Sequence, residues 1–378
     1  VSPVLKTLAD LVRINSINPS YDNGRPEEEI AGVIEQFFHE HGVETRRQEA
    51  LPRRPNLIAV LPGRNPTRRL VFEAHVDTAS INGMTIPPFE PAIENGRMYG
   101  RGSCDTKGGL AAMMHALVSL RKEGKTPPAE IWVVAAADEE FSFRGVLKLC
   151  EGLVAHGAVV AEPTDNRLVI AHKGVLRWKI RTRGVAAHSS KPHLGVNAIQ
   201  HMAHLLKALE DDAAHLAGNA HPLVGPATVN VGVIRGGVQV NFVPDSCEIE
   251  VDRRLIPGEQ PETVLAHYQS ILDEAMRQRP EIRAEMDPPM LVDRPLETAA
   301  DAPIARLGSA ILRELGLASE PAGVPYGSDA SKLSHHGVPS VLFGPGSIDQ
   351  AHAAVEWVEC AQVEQAEQFY RAMMLRFE

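Results

Sequence analysis

The chain has 378 residues, of which 44% are hydrophobic and 23% charged, with a formal net charge of −10. That length supports two domains and a large buried core, and the composition is that of an ordinary globular protein. No long run of Lys or Arg is present, which argues against a nucleic-acid partner or an anionic membrane surface. No apolar stretch reaches the roughly 20 residues that a membrane span needs.

Taken in chain order, "VSPVLKTLADLVRI" at the start has the spacing of an amphipathic helix rather than of a signal peptide. A second helix is expected over 26–42, with Ile30, Val33, Ile34, Phe37 and Phe38 on one face and acidic residues at its start. Strand-like runs follow at 56–61, 69–76, 130–137 and 157–161. Between two of them lies the helical stretch "GGLAAMMHALVSLRKEG", which ends at Gly124. These strands are apolar right through and alternate with helices, the pattern of a mostly parallel sheet covered on both faces. The same unit recurs near the end as a helix at 302–315, the strand "PSVLFG" and a helix at 361–376.

The stretch 174–288 reads differently, as β-α-β-β-α-β, the ferredoxin-like order. The expected organisation is an α/β catalytic domain in two segments, 1–173 and 289–378, around an inserted α+β domain at 174–288. The four cysteines (Cys104, Cys150, Cys247, Cys360) are scattered without a CxxC pair. In a chain this large they read as reduced thiols, pointing to a cytoplasmic protein.

Five potential metal ligands stand after strands or in the adjoining loops: His75, Asp105, Glu140, Glu162 and His352. In open α/β sheets, ligands bind in the crevice outside the carboxyl ends of the strands. Two imidazoles and three carboxylates there make a mixed N/O set suited to zinc and its neighbours. His75-Val76-Asp77 places a carboxylate within reach of the ring's second nitrogen, so that Asp77 would orient the imidazole. Taken alone, that pair is a weak signal and reads more often as a hydrogen-bonded strand end. Asp105 sits in the Gly-rich turn "GRGSCDTKGG" before a helix, where an N-cap aspartate is the plainer reading and the phosphate-loop pattern GxxxxGK[ST] does not fit. Asp138-Glu139-Glu140 follows "IWVVAAA", so one glutamate can bind metal while its neighbour stays free as a general base. No GxSxG elbow is present, which weighs against a serine hydrolase.

With "EAHVDT", "GRGSCDTKGG", "ADEE" and "GPGSIDQAH" in this order, the chain resembles the zinc amidohydrolase and exopeptidase family. That family includes acetylornithine deacetylase, succinyl-diaminopimelate desuccinylase, aminoacylase and glutamate carboxypeptidase. The resemblance implies two Zn2+ ions, with Co2+ or Mn2+ as substitutes, bridged by Asp105. One would also be held by His75 and Glu162, the other by Glu140 and His352. It makes Glu139 the general acid/base and Asp77 the partner of His75, and implies a cis peptide after Asp105. It casts His188 as an oxyanion-stabilising histidine, often supplied across a homodimer. Asn241, Arg254 and the Gly327-Ser328-Asp329 loop become substrate-binding groups. The expected substrate is a small N-acyl amino acid or short peptide, cleaved at its amide. Carboxypeptidase, dipeptidase or desuccinylase action, and an inactive metal- or ligand-binding module, stand as alternatives. "AHAAVEWVE" departs from the deacetylase branch at Ala353-Ala354-Val355.

Overall fold

The computed structural model describes residues 1–378 and divides into two compact units. The first comprises Val1–Ile170, Thr298–Ala322 and Ser328–Glu378; the second comprises Ala171–Glu297 and Gly323–Gly327.

In the first unit a twisted sheet runs in the spatial order Glu44–Leu51, Arg54–Leu61, Ala129–Ala136, Asn65–His75, Gly157–Val160, Ser340–Leu342. Its centre is parallel: Asn65–His75 pairs in parallel with both Ala129–Ala136 and Gly157–Val160, and Ser340–Leu342 pairs in parallel with Gly157–Val160. The flanks are antiparallel. Burial of every residue along Gly157–Val160, and of all but Glu130 along Ala129–Ala136, follows from helices on both faces. Gly108–Lys122 and Cys360–Arg376 pack against one another over Leu70 and Phe72, and Tyr370 donates its hydroxyl to the Phe343 carbonyl at 2.6 Å.

Two local expectations need correcting. Glu44–Leu51 is a strand that the periodicity did not reveal, because its charged sequence lies at the sheet edge with every side chain exposed or half-buried. Helix Glu28–Glu40 buries Ile30, Ile34 and Phe38, but Val33 is 40% exposed. At 100° per residue, Val33 lies about 60° to one side of Ile30, at the edge of the stripe that Ile30, Ile34 and Phe38 define.

The second unit holds a five-stranded antiparallel sheet in the order Thr228–Gly236, Ser246–Leu255, Gly174–Arg183, Arg283–Met286, with Leu291–Asp293 also pairing Gly174–Arg183. The helices Ala198–Leu216 and Pro261–Gln278 pack on it around Trp178, Leu205, Ile249, Tyr268 and Leu272. Alternating burial along Ser246–Leu255 gives one face to this core and the other to solvent. The 174–288 stretch lies wholly within this unit.

Candidate metal centre

The structure brings the five candidate ligands together at the carboxyl end of the parallel strands. His75, Asp105 and Glu162 form one group and Asp105, Glu140 and His352 another, with the ligand atoms of each group within 4.8 Å of one another. Asp105 belongs to both. His75 Nε2 lies 3.0 Å from Asp105 Oδ1, and His352 Nε2 lies 3.4 Å from Asp105 Oδ2 and 3.0 Å from Glu140 Oε1.

Each ligand is delivered by a tied backbone. His75 closes its strand, and the Val76 N–H donates to the Ala136 carbonyl at 2.8 Å, locking it to the strand that leads into Glu139 and Glu140. Asp138 and Phe143 both have positive φ, 68° and 61°, and the Phe143 N–H closes the turn on the Asp138 carbonyl at 2.7 Å. The helix after this turn starts close against it. A Cβ at Gly145 would lie 2.1 Å from the Ala137 carbonyl oxygen, so only glycine fits there. Asp105 sits in the irregular turn Ser103–Lys107, and the Asp105–Thr106 peptide is cis. Lys107, fully buried, anchors that turn by donating to the Leu11 and Ile14 carbonyls, 3.0 Å each. His352 adopts φ 58° in the loop before Trp357–Glu359.

Asp77 is used differently from expectation. His75 Nδ1 meets the Asp77 backbone oxygen at 2.9 Å, while the nearest Asp77 carboxylate oxygen is 3.7 Å away. The carboxylate is occupied elsewhere. Its Oδ1 accepts the Glu139 N–H at 3.1 Å, and its Oδ2 accepts the Glu140 N–H at 3.0 Å and Asn18 Nδ2 at 2.7 Å. The Asp77 carboxylate therefore holds the glutamate turn, while its carbonyl is the group hydrogen-bonded to the histidine and its charge still acts on the ring at 3.7 Å. Asn18, which donates to both Asp77 and Asp138, was not identifiable in advance, since a lone Asn in "SINPS" carries no spacing signal.

The electrostatics fit a cation. A carbonyl only accepts, so His75 Nδ1 carries the hydrogen and a neutral ring turns the Nε2 lone pair toward Asp105 Oδ1. Facing lone pairs at 3.0 Å require positive charge, either a proton or a metal ion. Without a metal the proton is strongly held. Burial opposes charging His75, but the hydrogen bond to Asp105 and the charges of Glu139, Asp105 and Asp77 keep its pKa well above the ordinary value. Hydrogen bonds to Asp105 and Glu140 push His352 up to about 11. Burial works against ionisation of Asp105, yet the two imidazoles hold it below the usual carboxylate range. Glu162 is raised well above that range by burial and by Asp105. Glu139 is raised to about 8, chiefly by burial, with Glu140 and Asp105 adding to it against the lowering effect of His75 and Lys332. With both imidazoles neutral and the four carboxylates ionised, as metal ligation would require, the cluster would carry an excess of negative charge that two divalent ions would offset.

The expected substrate groups lie mainly in the second unit. His188 pairs with Phe242 in a short ribbon that also carries Asn241, whose carbonyl accepts the Ser189 N–H at 2.9 Å. His188 Nδ1 accepts the Ser190 N–H at 3.1 Å, so the neutral ring presents Nε2–H as a donor. Arg254 Nε bonds Asp252 Oδ1 at 2.8 Å, with its side chain 31% exposed. Gly327 belongs to this unit, and a Cβ there would lie 2.5 Å from Asp293 Oδ2. Ser328, in the first unit, is fully buried; its hydroxyl accepts the Ala330 N–H at 3.3 Å.

A sheet that is parallel at its centre, with His and acidic side chains clustered at its carboxyl end, offers the donor set of a metal-dependent hydrolase. Residues 71–376 match the family described as Peptidase family M20/M25/M40, and the chain belongs to it. It is 33% identical over 378 aligned residues to an acetylornithine deacetylase of Myxococcus xanthus, covering 94% of this chain and 93% of that protein. In fold it is similar to the aminopeptidase PepT of Bacillus cereus, with TM-score 0.81, 21% identity and 98% and 97% of the two chains covered. It is likewise similar to a dinuclear metal-binding peptidase of the M20 family from Bacillus subtilis, with TM-score 0.76, 16% identity and 99% and 98% covered. No helix is long and apolar enough to cross a membrane.

Proposed function

We propose that this M20-family hydrolase binds two zinc ions, or Co2+ or Mn2+ in their place, and cleaves the amide bond of an N-acyl amino acid. The observation that carries this reading is the pair of three-ligand groups sharing Asp105, with Glu139 next to Glu140 but outside both groups. The 33% identity to an acetylornithine deacetylase supports the deacylase assignment.

His75, Asp105 and Glu162 would hold one ion, and Asp105, Glu140 and His352 the other. When bound, such ions polarise the scissile carbonyl and lower the pKa of water to about 7. The Glu139 carboxylate takes a proton from the attacking water and delivers it to the departing amine nitrogen. Its half-buried position, with the backbone N–H fixed by Asp77, keeps that carboxylate aimed at the site. His188, through Nε2–H, is the proposed donor to the developing oxyanion, and Asn241 and Arg254 the proposed substrate anchors, Arg254 for a carboxylate. Supply of His188 across a homodimer belongs to the same proposal. The four buried, unpaired cysteines fit a cytoplasmic site of action.

A panel of N-acetyl amino acids, N-succinyl amino acids and dipeptides tests the substrate class. The highest kcat/KM should fall on an N-acetyl compound; activity confined to free dipeptides would overturn the deacylase reading. Glu139→Ala should abolish turnover and retain both ions, and loss of metal from that variant would remove Glu139 from the role of base.

A further inference from the structure

Glu356 stands four residues after His352 and is fully buried, yet it belongs to neither ligand group. Its carboxylate and its carbonyl both bond to one segment, Gly100–Asp105. Its Oε1 accepts the Cys104 N–H at 3.0 Å and the Asp105 N–H at 3.1 Å. Its Oε2 takes a 2.6 Å ion pair from Arg101 Nη1, and its backbone oxygen accepts the Gly100 N–H at 3.1 Å. Arg101, itself 2% exposed, passes the connection on, donating Nη2 to the Ser80 carbonyl at 2.7 Å. The His352 loop is tied to the same neighbourhood, since the Ala354 carbonyl accepts the Thr85 N–H at 2.9 Å.

Asp105 has no regular helix or strand beneath it. Its turn has non-helical φ/ψ at Asp105 and Thr106, so neighbouring ladder bonds do not define where the carboxylate points. The two N–H groups that would otherwise be orphaned, at Cys104 and Asp105, converge on one charged acceptor. We propose that Glu356 is a positioning residue for the shared ligand Asp105, coupling its turn to the His352 segment so that both carboxylate oxygens stay directed at the two imidazoles. The proposal rests on the di-metal reading above. Groups that orient metal ligands typically cost 10–100-fold in metal affinity when removed.

The test is zinc affinity, measured by chelator competition on wild type, Glu356→Ala and Glu356→Gln, together with thermal unfolding of each metal-free protein. Glu356→Ala leaves two N–H groups without an acceptor and Arg101 with only the Ser80 carbonyl, and should weaken zinc binding about 10–100-fold. Glu356→Gln keeps an acceptor oxygen for the N–H pair but loses the charge facing Arg101, so its affinity should fall between the other two. It also decides the question if the alanine variant fails to fold. Wild-type zinc affinity in folded variants that merely melt earlier would reduce Glu356 to a brace of the fold and overturn the proposal. Failure of the wild-type protein itself to bind zinc would overturn the di-metal reading instead, and the two failures are separable on the same titration.

Discussion

Replacing Asp77 by Asn separates two accounts of that residue. If its carboxylate served His75, the amide variant would disturb the ion held by His75 and Glu162 and leave the Glu139–Glu140 turn alone. The hydrogen bonds argue the reverse. Oδ1 accepts from Glu139 N–H, and Oδ2 accepts from Glu140 N–H and Asn18 Nδ2. An asparagine offers one acceptor oxygen and one NH2 group. With its oxygen at the Oδ2 position it keeps two of these bonds but turns two donors toward each other at Glu139 N–H. Asn18 cannot flip to compensate, because its own oxygen accepts the Ser20 N–H at 3.0 Å and its NH2 also serves Asp138 at 3.0 Å. Loss of one bond to a charged acceptor costs roughly 1.5–3 kcal/mol, and the donor–donor contact adds to it. The strain falls on the peptide that carries the proposed base, where a displacement of about 1 Å costs on the order of 100-fold in rate. Urea unfolding of the metal-free protein reads the stability change without interference from metal affinity, and kcat on the best substrate of the panel reads the displacement. We expect a destabilisation of about 2–4 kcal/mol and a loss in kcat of about 100-fold. Unchanged unfolding with selective loss of one zinc ion would refute the reasoning.

Further outcomes follow from the same structure. Arg54 bonds Glu27 through two 2.6 Å contacts and Asp138 at 2.8 Å, with both carboxylates fully buried; Arg54→Met should cost about 3–5 kcal/mol in urea unfolding. A loss under 1 kcal/mol would show the pair to be dispensable. Gly145→Ala should destabilise by about 1–3 kcal/mol or more and lower kcat, because the Ala137 carbonyl must move and Ala137 leads into the Asp138–Phe143 turn. Normal activity would contradict the close approach. His115 is pushed down to about 4 by burial, with His41 and Lys122 adding to the effect, so the unfolded chain takes up this proton first. Its contribution to stability is complete above about pH 6.5 and is lost as pH falls toward 4. Wild type should therefore lose stability relative to His115→Gln across that window, and parallel pH profiles of the two would contradict the burial argument.

The parallel strands were legible because a strand buried on both faces must be apolar along its whole length, as "IWVVAAA" is. The inserted β-α-β-β-α-β unit was legible from alternation along "CEIEVDRRL", where one face meets helices and the other solvent. The edge strand Glu44–Leu51 was not, since exposed edge positions accept charge and carry no periodic signal. Helix Ala198–Leu216 extends six residues past the expected end at 210, because "DDAAHL" continues without a Gly or Pro to stop it. At the candidate centre, the ligand types and their positions near strand ends could be read from the chain. What orients them could not. Asn18, Glu356 and the carboxylate of Asp77 act by donating to or accepting from backbone or side chains 59 to 255 positions away in sequence, and such pairings leave no local spacing.

The most direct measurement is crystallographic: anomalous diffraction at the zinc edge from zinc-loaded protein, with activity followed before and after chelation. Two peaks should lie on either side of Asp105, one beside His75 and Glu162 and one beside Glu140 and His352, and turnover should vanish with them and return on adding zinc back. A single peak, peaks away from Asp105, or turnover that survives complete metal removal would contradict the account.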